Sequence, residues 1–197
     1  MKVVFISPSY PPAQCDFTRG LAQVGASVIG VGDGPRGNLP PGVERALSRY
    51  LRVPNLFDEE QAALTIARAV GDLGVDRVES NWEPLVLLAA RVRELLGVGG
   101  MSHDTVLGFR DKQLMKDRVK AAGLRVPRSE RATTEEAVRE AAEVVGLPLI
   151  IKPIAGAGSA DTYRCDTLAD LERTLPLISH VREVSVEEFI EGDEFTY

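Results

Sequence analysis

The sequence predicts an α/β protein in which a parallel-sheet domain is followed by a smaller α+β unit. In the first half of the chain, short apolar runs alternate with stretches whose apolar residues recur at helical spacing. This alternation is typical of a parallel sheet covered by helices on both faces. In the second half, two short strand-like runs flank a loop of small residues, which indicates a hairpin-like flap.

The first predicted domain occupies residues 1–101. Asp58 with Gln61 forms a capping-box pattern at the start of one helix, and Gly74 and Gly97 each follow the last apolar residue of a helical stretch. The elements predicted in this domain are strands at 3–6, 27–31 and 75–79 and helices at 17–24, 58–73 and 83–96.

Residues 102–126 are predicted to form linker helices, one of them opened by Asp111 and Lys112, and residues 127–197 form the second unit. Two capping boxes mark helix starts in that unit. They are Thr133 with Glu136 and Thr167 with Asp170. The elements predicted there are helices at 133–145 and 167–175 and strands at 149–151, 162–165, 184–190 and 194–197.

The flap carries the most informative chemical pattern. An apolar strand leads directly to Lys152, and the loop that follows contains Gly156, Gly158 and Ser159. Backbone N–H groups converge on phosphate oxygens where side chains do not obstruct them, and a lysine supplies a point charge opposite them. Taken alone, the pattern is equally consistent with a plain glycine-rich hairpin whose lysine is solvated.

The order of three separate motifs distinguishes these alternatives. Asp111-Lys112 opens a helix, Lys152-Pro153 precedes the glycine loop, and the acidic stretch VEEFIEGDEF follows at 186–195. This arrangement resembles the ATP-grasp superfamily, and in style it is closest to the carbamoyl-phosphate-synthase-like and biotin-carboxylase-like members. The resemblance covers nearly the whole chain.

The resemblance implies a specific domain organisation. Residues 1–101 would be the Rossmann-like pre-ATP-grasp domain, 102–126 the linker helices, and 127–197 the N-terminal ATP-grasp lobe with its adenine hinge. The second lobe, with the metal ligands, would lie beyond residue 197. No catalytic or metal-binding residue is therefore expected within this segment, and the segment alone is expected to be inactive.

The resemblance also implies roles for individual residues. Lys112 and Lys152 would contact ATP phosphates, and the loop containing Gly156, Gly158 and Ser159 would close over them as a lid. The lid of the family usually carries another glycine after its serine, whereas this chain has Ala160-Asp161-Thr162. That departure places an anion close to the expected phosphates.

The acidic stretch would form the adenine and ribose site. Glu187 would accept a hydrogen bond from the adenine amino group, and the backbone of Glu188 and Ile190 would contact the ring edge. Glu194 would bind the ribose hydroxyls. An adenine edge needs an acceptor and a donor in an apolar slot, and a ribose diol suits a carboxylate. Without the lysines, an exposed acidic strand and turn would be the better interpretation.

The function implied by the resemblance is that of an ATP-dependent ligase. Such an enzyme activates a carboxylate or bicarbonate as an acyl phosphate for attack by an amine or similar nucleophile, with Mg²⁺ bridging the ATP phosphates. The alternative is a non-catalytic nucleotide-binding module, or a half-enzyme that needs a partner chain. An acceptor substrate is expected near residues 7–14 and 81–83, at the carboxyl ends of predicted strands.

A second glycine motif, GDGPRG at 32–37, matches the dinucleotide-binding pattern GxGxxG and would suggest an NAD-dependent oxidoreductase. That fingerprint should open a helix whose N-terminus holds the pyrophosphate. Here Asn38, Leu39, Pro40 and Pro41 follow, so a flexible turn is the preferred interpretation.

Composition excludes several other classes. The formal net charge of −6 is spread along the chain, and Lys and Arg form no stripe interleaved with aromatic residues, so nucleic acid is not an expected partner. Cys15 and Cys165 stand far apart without a metal-binding spacing. No apolar run has the roughly 20 residues of a membrane span. A cytoplasmic setting without membrane association is therefore expected.

Overall fold

In the computed structural model, which describes residues 1–155 and 159–193, the apolar runs of the first half form a parallel sheet. The chain divides into two compact units, Met1–Leu107 and Gly108–Tyr197. The strands of the first unit are β1 (Lys2–Ile6), β2 (Ser27–Gly32), β3 (Leu47–Arg52) and β4 (Arg77–Glu79). Their order is β3-β2-β1-β4 and all three pairings are parallel, which confirms the predicted sheet.

Helices cover both faces of this sheet, because successive side chains of a strand point to opposite faces. The helices of this unit are α1 (Gln14–Gln23), α2 (Pro41–Ala46), α3 (Glu59–Val70) and α4 (Val86–Leu96). Val4 and Ile6 pack into a core with α3 and α4, whereas Phe5 and Val28 pack into a separate core near α1 and α2. Burial on both faces was predicted and is confirmed.

The elements α2 and β3 were not predicted. β3 pairs on one side only, with β2, and several of its side chains are exposed, so its sequence LSRYLR lacks the apolar run of an interior strand. α2 has only six residues and begins at Pro41, in a segment rich in proline and glycine. Proline is tolerated at the first position of a helix, which explains how a helix starts there.

Gly32, the first glycine of the GDGPRG motif, is explained by contacts within the first unit. The Tyr50 hydroxyl donates to the backbone oxygen of Gly34 at 2.8 Å, and its ring lies across Gly32. A Cβ atom at Gly32 would lie 2.4 Å from the Tyr50 Oη atom, so a side chain there would displace the tyrosine. A short 3-10 turn at Arg36–Asn38 follows, and the next α-helix begins only at Pro41.

The second unit contains an antiparallel sheet of order β5-β8-β6-β7. Its strands are β5 (Ser129–Ala132), β6 (Leu149–Pro153), β7 (Tyr163–Cys165) and β8 (Val184–Glu188). The pairing of β6 with β7 confirms the predicted flap. β8 ends two residues earlier than predicted, and the strand expected at 194–197 lies outside the described residues. The edge strand β5 was missed because its sequence, SERA, is mostly polar.

The remaining helices are α5 (His103–Arg110), α6 (Lys112–Ala121), α7 (Glu135–Val145) and α8 (Leu168–Ile178). The capping box of Thr167 and Asp170 is confirmed. The cap of α7 was misplaced by one residue, since Thr134, not Thr133, accepts from the Ala137 N–H at 3.1 Å. α8 continues three residues beyond the predicted end. None of the described helices is long and apolar enough to cross a membrane.

The two faces of the second sheet differ in chemistry. Leu149 and Ile151 of β6 and Val184 and Val186 of β8 are buried against α7 and α8. Since strand residues alternate, the intervening residues occupy the opposite face. That face carries Ile150, Lys152, Ser185 and Glu187.

Replacing Gly32 with alanine is expected to destabilise the protein by about 1–3 kcal/mol, because the new methyl group displaces Tyr50 from its hydrogen bond with Gly34. The measurement is the midpoint and slope of urea unfolding. The control is Gly34→Ala, where a Cβ would meet nothing within 4 Å. Equal stability of the two variants would contradict the packing explanation.

Candidate functional site

A buried polar layer lies on the face of the second sheet that points away from α7 and α8. Ser185 is fully buried and Glu187 is 4% exposed. The helix α6 contacts this layer through polar side chains: Lys116 Nζ donates to Ser185 Oγ at 3.1 Å, and Ser129 Oγ donates to Gln113 Oε1 at 2.9 Å. Hydrogen bonds and ion pairs therefore stabilise this face of the sheet, whereas apolar packing stabilises the other face.

The centre of the layer is the Glu187 carboxylate, which pairs with two lysines. Lys152 of β6 contacts its Oε1 atom and Lys116 of α6 contacts its Oε2 atom. Lys116 is 5% exposed, whereas 27% of the Lys152 side chain is accessible to solvent. A buried carboxylate needs such partners, because an unpaired buried charge is costly.

Lys116 was missed by the sequence analysis. A usable signal existed, because Lys112 and Lys116 are four residues apart and therefore lie on one face of α6. What the sequence did not indicate is that this face would meet the polar side of the sheet.

Lys112 lies next to the start of the expected lid. Its Nζ atom donates to the backbone oxygen of Ile154 at 3.3 Å, and Ile154 directly follows β6. The structure thus brings Lys112 to the end of the strand that carries Lys152. Both expected phosphate contacts lie at this end of the second sheet.

The placement of Lys112 depends on the cap of α6. The Asp111 carboxylate accepts from the N–H groups of Gln113 and Leu114, at 2.9 Å each, and pairs with Arg131 of β5. Partial burial alone would raise the pKa of Asp111. The Arg131 guanidinium and the two N–H groups together outweigh it and hold that pKa below its ordinary value.

Only part of the expected lid is described. Gly156 and Gly158 lie outside the described residues. Ser159 and Asp161 both adopt left-handed backbone conformations, with φ of 58° and 52°. The Asp161 carboxylate lies 3.2 Å from Nε2 of His180, so in this structure the anion expected near the phosphates is paired with a histidine.

The expected adenine hinge follows Glu187. The Glu188 N–H donates to the Arg128 oxygen at 2.9 Å, while the Arg128 N–H donates to the Glu188 carboxylate at 3.1 Å. That backbone donor is the main cause that lowers the pKa of Glu188, with further contributions from Arg125 and Arg128. Ile190 lies beyond the end of β8 and is 41% exposed. Glu194 lies outside the described residues.

Metal ligands are not grouped in the part of the chain that is described. Among residues 1–155 and 159–193, no cluster of three or more His, Cys, Asp or Glu side chains is placed to hold a metal ion. Cys15 and Cys165 are both free thiols.

A separate aromatic cluster lies at the carboxyl edge of the first sheet. Tyr10 follows β1, Phe57 follows β3 and Trp82 follows β4. Both rings meet Trp82 edge to face, at centroid distances of 4.8 Å and 5.7 Å. Tyr10 and Phe57 remain 59% and 64% exposed. The strand order reverses between β1 and β4, which is the position where open α/β sheets bind ligands.

Part of the chain is similar in sequence to known proteins. Residues 111–192 match the family described as carbamoyl-phosphate synthase L chain, ATP binding domain. The chain is 34% identical over 101 residues to alanine–anticapsin ligase of Bacillus subtilis. The aligned segment covers 51% of this chain and 21% of that protein.

Solved structures show the same fold over almost the whole chain. An L-amino acid ligase from Bacillus licheniformis superimposes with a TM-score of 0.72 at 22% identity, covering 97% of this chain and 44% of that one. The biotin carboxylase domain of the Hydrogenobacter thermophilus 2-oxoglutarate carboxylase, solved with MgADP and bicarbonate, gives 0.66 at 21% identity, covering 96% and 44%. The chain thus spans less than half the length of these proteins.

Residues 111–192 therefore match the carbamoyl-phosphate-synthase-like ATP-binding domain, and the chain as a whole is similar in fold to ATP-grasp ligases. The superfamily resemblance found in the sequence is confirmed.

Replacing Asp111 with alanine is expected to lower the free energy of unfolding by about 1 kcal/mol near neutral pH, because α6 loses its N-cap. The folded-state pKa of Asp111 is depressed, so its contribution is complete above the unfolded value of about 3.9 and is lost as pH falls through the folded value. Urea unfolding from pH 7 to pH 3 should show the difference shrinking with acid. Asp72→Asn, in an exposed turn, is the control, and a pH-independent difference would contradict the assignment.

Proposed function

We propose that this chain is the nucleotide-binding part of an ATP-dependent ligase that activates a carboxylate or bicarbonate as an acyl phosphate for attack by an amine or similar nucleophile. The observation that carries the proposal is that Lys152 of β6 pairs with Glu187 of β8, while Lys112 contacts the backbone oxygen of Ile154, directly after β6. Whole ligases of this kind are longer than this chain, so the activity is proposed for a protein that contains the second lobe.

The phosphates are proposed to bind between the two lysines and the lid. Lys152 is partly accessible and Lys112 lies at the base of the loop, so both ammonium groups can reach a polyanion at this end of the sheet. Lid N–H groups, including those of Gly156, Gly158 and Ser159, would complete the phosphate contacts. Phosphoryl transfer needs little covalent chemistry from the protein beyond such positioning and charge neutralisation.

Adenine is proposed to bind against the end of β8. The Glu187 carboxylate would accept from the adenine amino group, and the carbonyl of Glu188 and the N–H of Ile190 would contact the ring edge. The hydrogen bonds between Glu188 and Arg128 fix the backbone of this segment, which supports a preformed edge. Glu194 is proposed to bind the ribose hydroxyls.

Mg²⁺ would supply neutralisation of the phosphate charge when it is bound with ATP. No carboxylate cluster is placed to hold it among the described residues, and the resemblance to ATP-grasp ligases implies that its protein ligands belong to the second lobe. The residues of this chain would contribute cations and backbone donors to the phosphates instead.

The aromatic cluster of the first unit is proposed as part of the acceptor site. Tyr10, Phe57 and Trp82 expose ring surface at the topological switch point of a parallel sheet. Exposed apolar patches on a protein surface often mark ligand-binding or interaction sites. An acceptor with an apolar side chain, such as an apolar amino acid, fits this surface best.

The second candidate function is a nucleotide-binding module without chemistry of its own, or a half-enzyme completed by a partner chain. It needs only the contacts of Lys112 and Lys152 described above. The intact mass of the protein from its natural source, compared with 21.4 kDa, separates the two functions. A mass larger by about one domain of 100–150 residues supports the ligase.

Replacing Lys152 with alanine should weaken ATP binding about tenfold or more, since one charge-assisted hydrogen bond to a phosphate contributes about 1.5–3 kcal/mol. Isothermal titration calorimetry measures the affinity. The exposed Lys120 of α6, changed to alanine, is the control and should bind ATP like the wild type. Unchanged affinity of the Lys152 variant would refute the phosphate assignment.

Trp82 is the single tryptophan of the chain, so its fluorescence reports on the proposed acceptor site alone. Titration with apolar amino acids should change the emission, because a ligand that contacts the indole alters its solvation. Tyr10→Ala should weaken this binding, whereas Phe17→Ala, at an exposed aromatic residue of α1 outside the cluster, should not. No spectral response to any amino acid would count against an apolar acceptor at this position.

A further inference from the structure

The ammonium group of Lys116 has no role in the nucleotide contacts proposed above, yet it is almost completely buried. Its residue is 5% exposed, and its partners are the Glu187 carboxylate and the Ser185 hydroxyl. Burying an ammonium group is unfavourable, and well-packed apolar residues often replace a buried ion pair without loss of stability. The presence of this charge therefore calls for an explanation other than packing.

The explanation begins with a conflict at Lys152. Its ammonium group pairs with Oε1 of Glu187 in the structure, while the proposed function assigns it to a phosphate. If Lys152 were the sole cation beside Glu187, its movement to a phosphate would leave a buried carboxylate without a partner. Such an unpaired charge is strongly unfavourable, so the carboxylate would compete with the nucleotide for Lys152.

Lys116 removes this conflict through its position on the other carboxylate oxygen. It contacts Oε2, so Glu187 keeps a counter-ion whichever way Lys152 points. The two lysines also differ in access: 6% of the Lys116 side chain is exposed, compared with 27% of the Lys152 side chain. Lys116 is too deeply buried to meet a ligand, whereas Lys152 can.

We propose that Lys116 is a positioning residue for ATP binding: it is the permanent counter-ion of Glu187 that allows Lys152 to turn to the nucleotide phosphates. The inference rests on the proposed nucleotide site and deepens it. The Lys116–Glu187 pair then stays neutral beside the adenine edge. Lys152 carries the positive charge that is free to bind the phosphates.

The test compares the affinities of ATP and adenosine, since their ratio isolates the phosphate contacts. Calorimetry on the purified protein gives the ratio of the adenosine to the ATP dissociation constant. In Lys116→Met this ratio should fall about tenfold, because Glu187 then retains Lys152 and one charge-assisted contact is lost. Adenosine binding should change much less. Lys120→Met, the same substitution at an exposed site on the same helix, should keep the wild-type ratio.

The double variant Lys116→Met with Glu187→Gln supplies the rescue that a merely structural role would not give. It contains no carboxylate to hold Lys152, so the ratio should return to the wild-type value even where adenosine binds more weakly. A ratio that is unchanged in Lys116→Met, or that stays low in the double variant, would overturn the inference.

Glu187→Gln alone keeps the inference testable if Lys116→Met does not fold. The glutamine retains an acceptor for Lys116 and releases Lys152, so the ratio should equal or exceed that of the wild type. A lower ratio would mean that Glu187 holds Lys152 in place for the phosphates, which contradicts the proposal. Failure of the wild-type protein to bind ATP would overturn the nucleotide site itself, whereas normal ATP binding with an unaltered ratio in the Lys116 variant would overturn this inference alone.

Discussion

The second unit depends on one interaction, the buried carboxylate of Glu187 between two lysine ammonium groups. Unit charges about 4 Å apart attract by about 4 kcal/mol at an effective dielectric constant of 20, while removal of one partner of a buried pair costs about 3–5 kcal/mol. The two ion pairs of Glu187 therefore add little net stability, but they restrict where the chain can place the lysines. Helix α6 has to present Lys116 at one position, and β6 has to present Lys152 at another.

The register of the sheet determines whether this arrangement can form. In β8, Val184 and Val186 face the apolar core, while Ser185 and Glu187 face α6. A slip of one residue would place the carboxylate in the core and a valine against the lysines, so the core and the site specify the same register. Apolar packing on one face thus fixes the polar geometry on the other.

The sequence predicted those parts of the fold and site that repeat a local pattern. Apolar runs located β1 and β2, and the strand followed by Lys152 located the flap, because periodicity is a local property. The edge strands β3 and β5 were missed because their exposed side chains lack that signal. Among site residues, the sequence indicated Lys112, Lys152 and Glu187, whose roles stay predictions.

What the sequence could not provide was the identity of tertiary partners. In the sequence, Lys116 cannot be distinguished from a charged residue on a solvent-exposed helix, because its partner Glu187 lies on the sheet. Asp161, which is expected near the phosphates, contacts His180, which lies 19 residues further along the chain. Gly32 of GDGPRG is explained by the ring of Tyr50, which comes from a strand that was not predicted. In each case the decisive neighbour is remote in sequence, so a local pattern does not contain it.

Charge at the site also differs from charge over the whole chain. The formal net charge is −6, so the average field of the protein repels a polyanion. Lys116 and Lys152 nevertheless flank the Glu187 carboxylate, and Lys112 contacts the backbone oxygen of Ile154 at the end of β6. An anionic ligand would be held at short range by Lys112 and Lys152, where partial burial limits screening by salt. In the proposed site, selection of a nucleotide would then depend on how Lys112 and Lys152 are placed, and the pairing with Glu187 constrains Lys152.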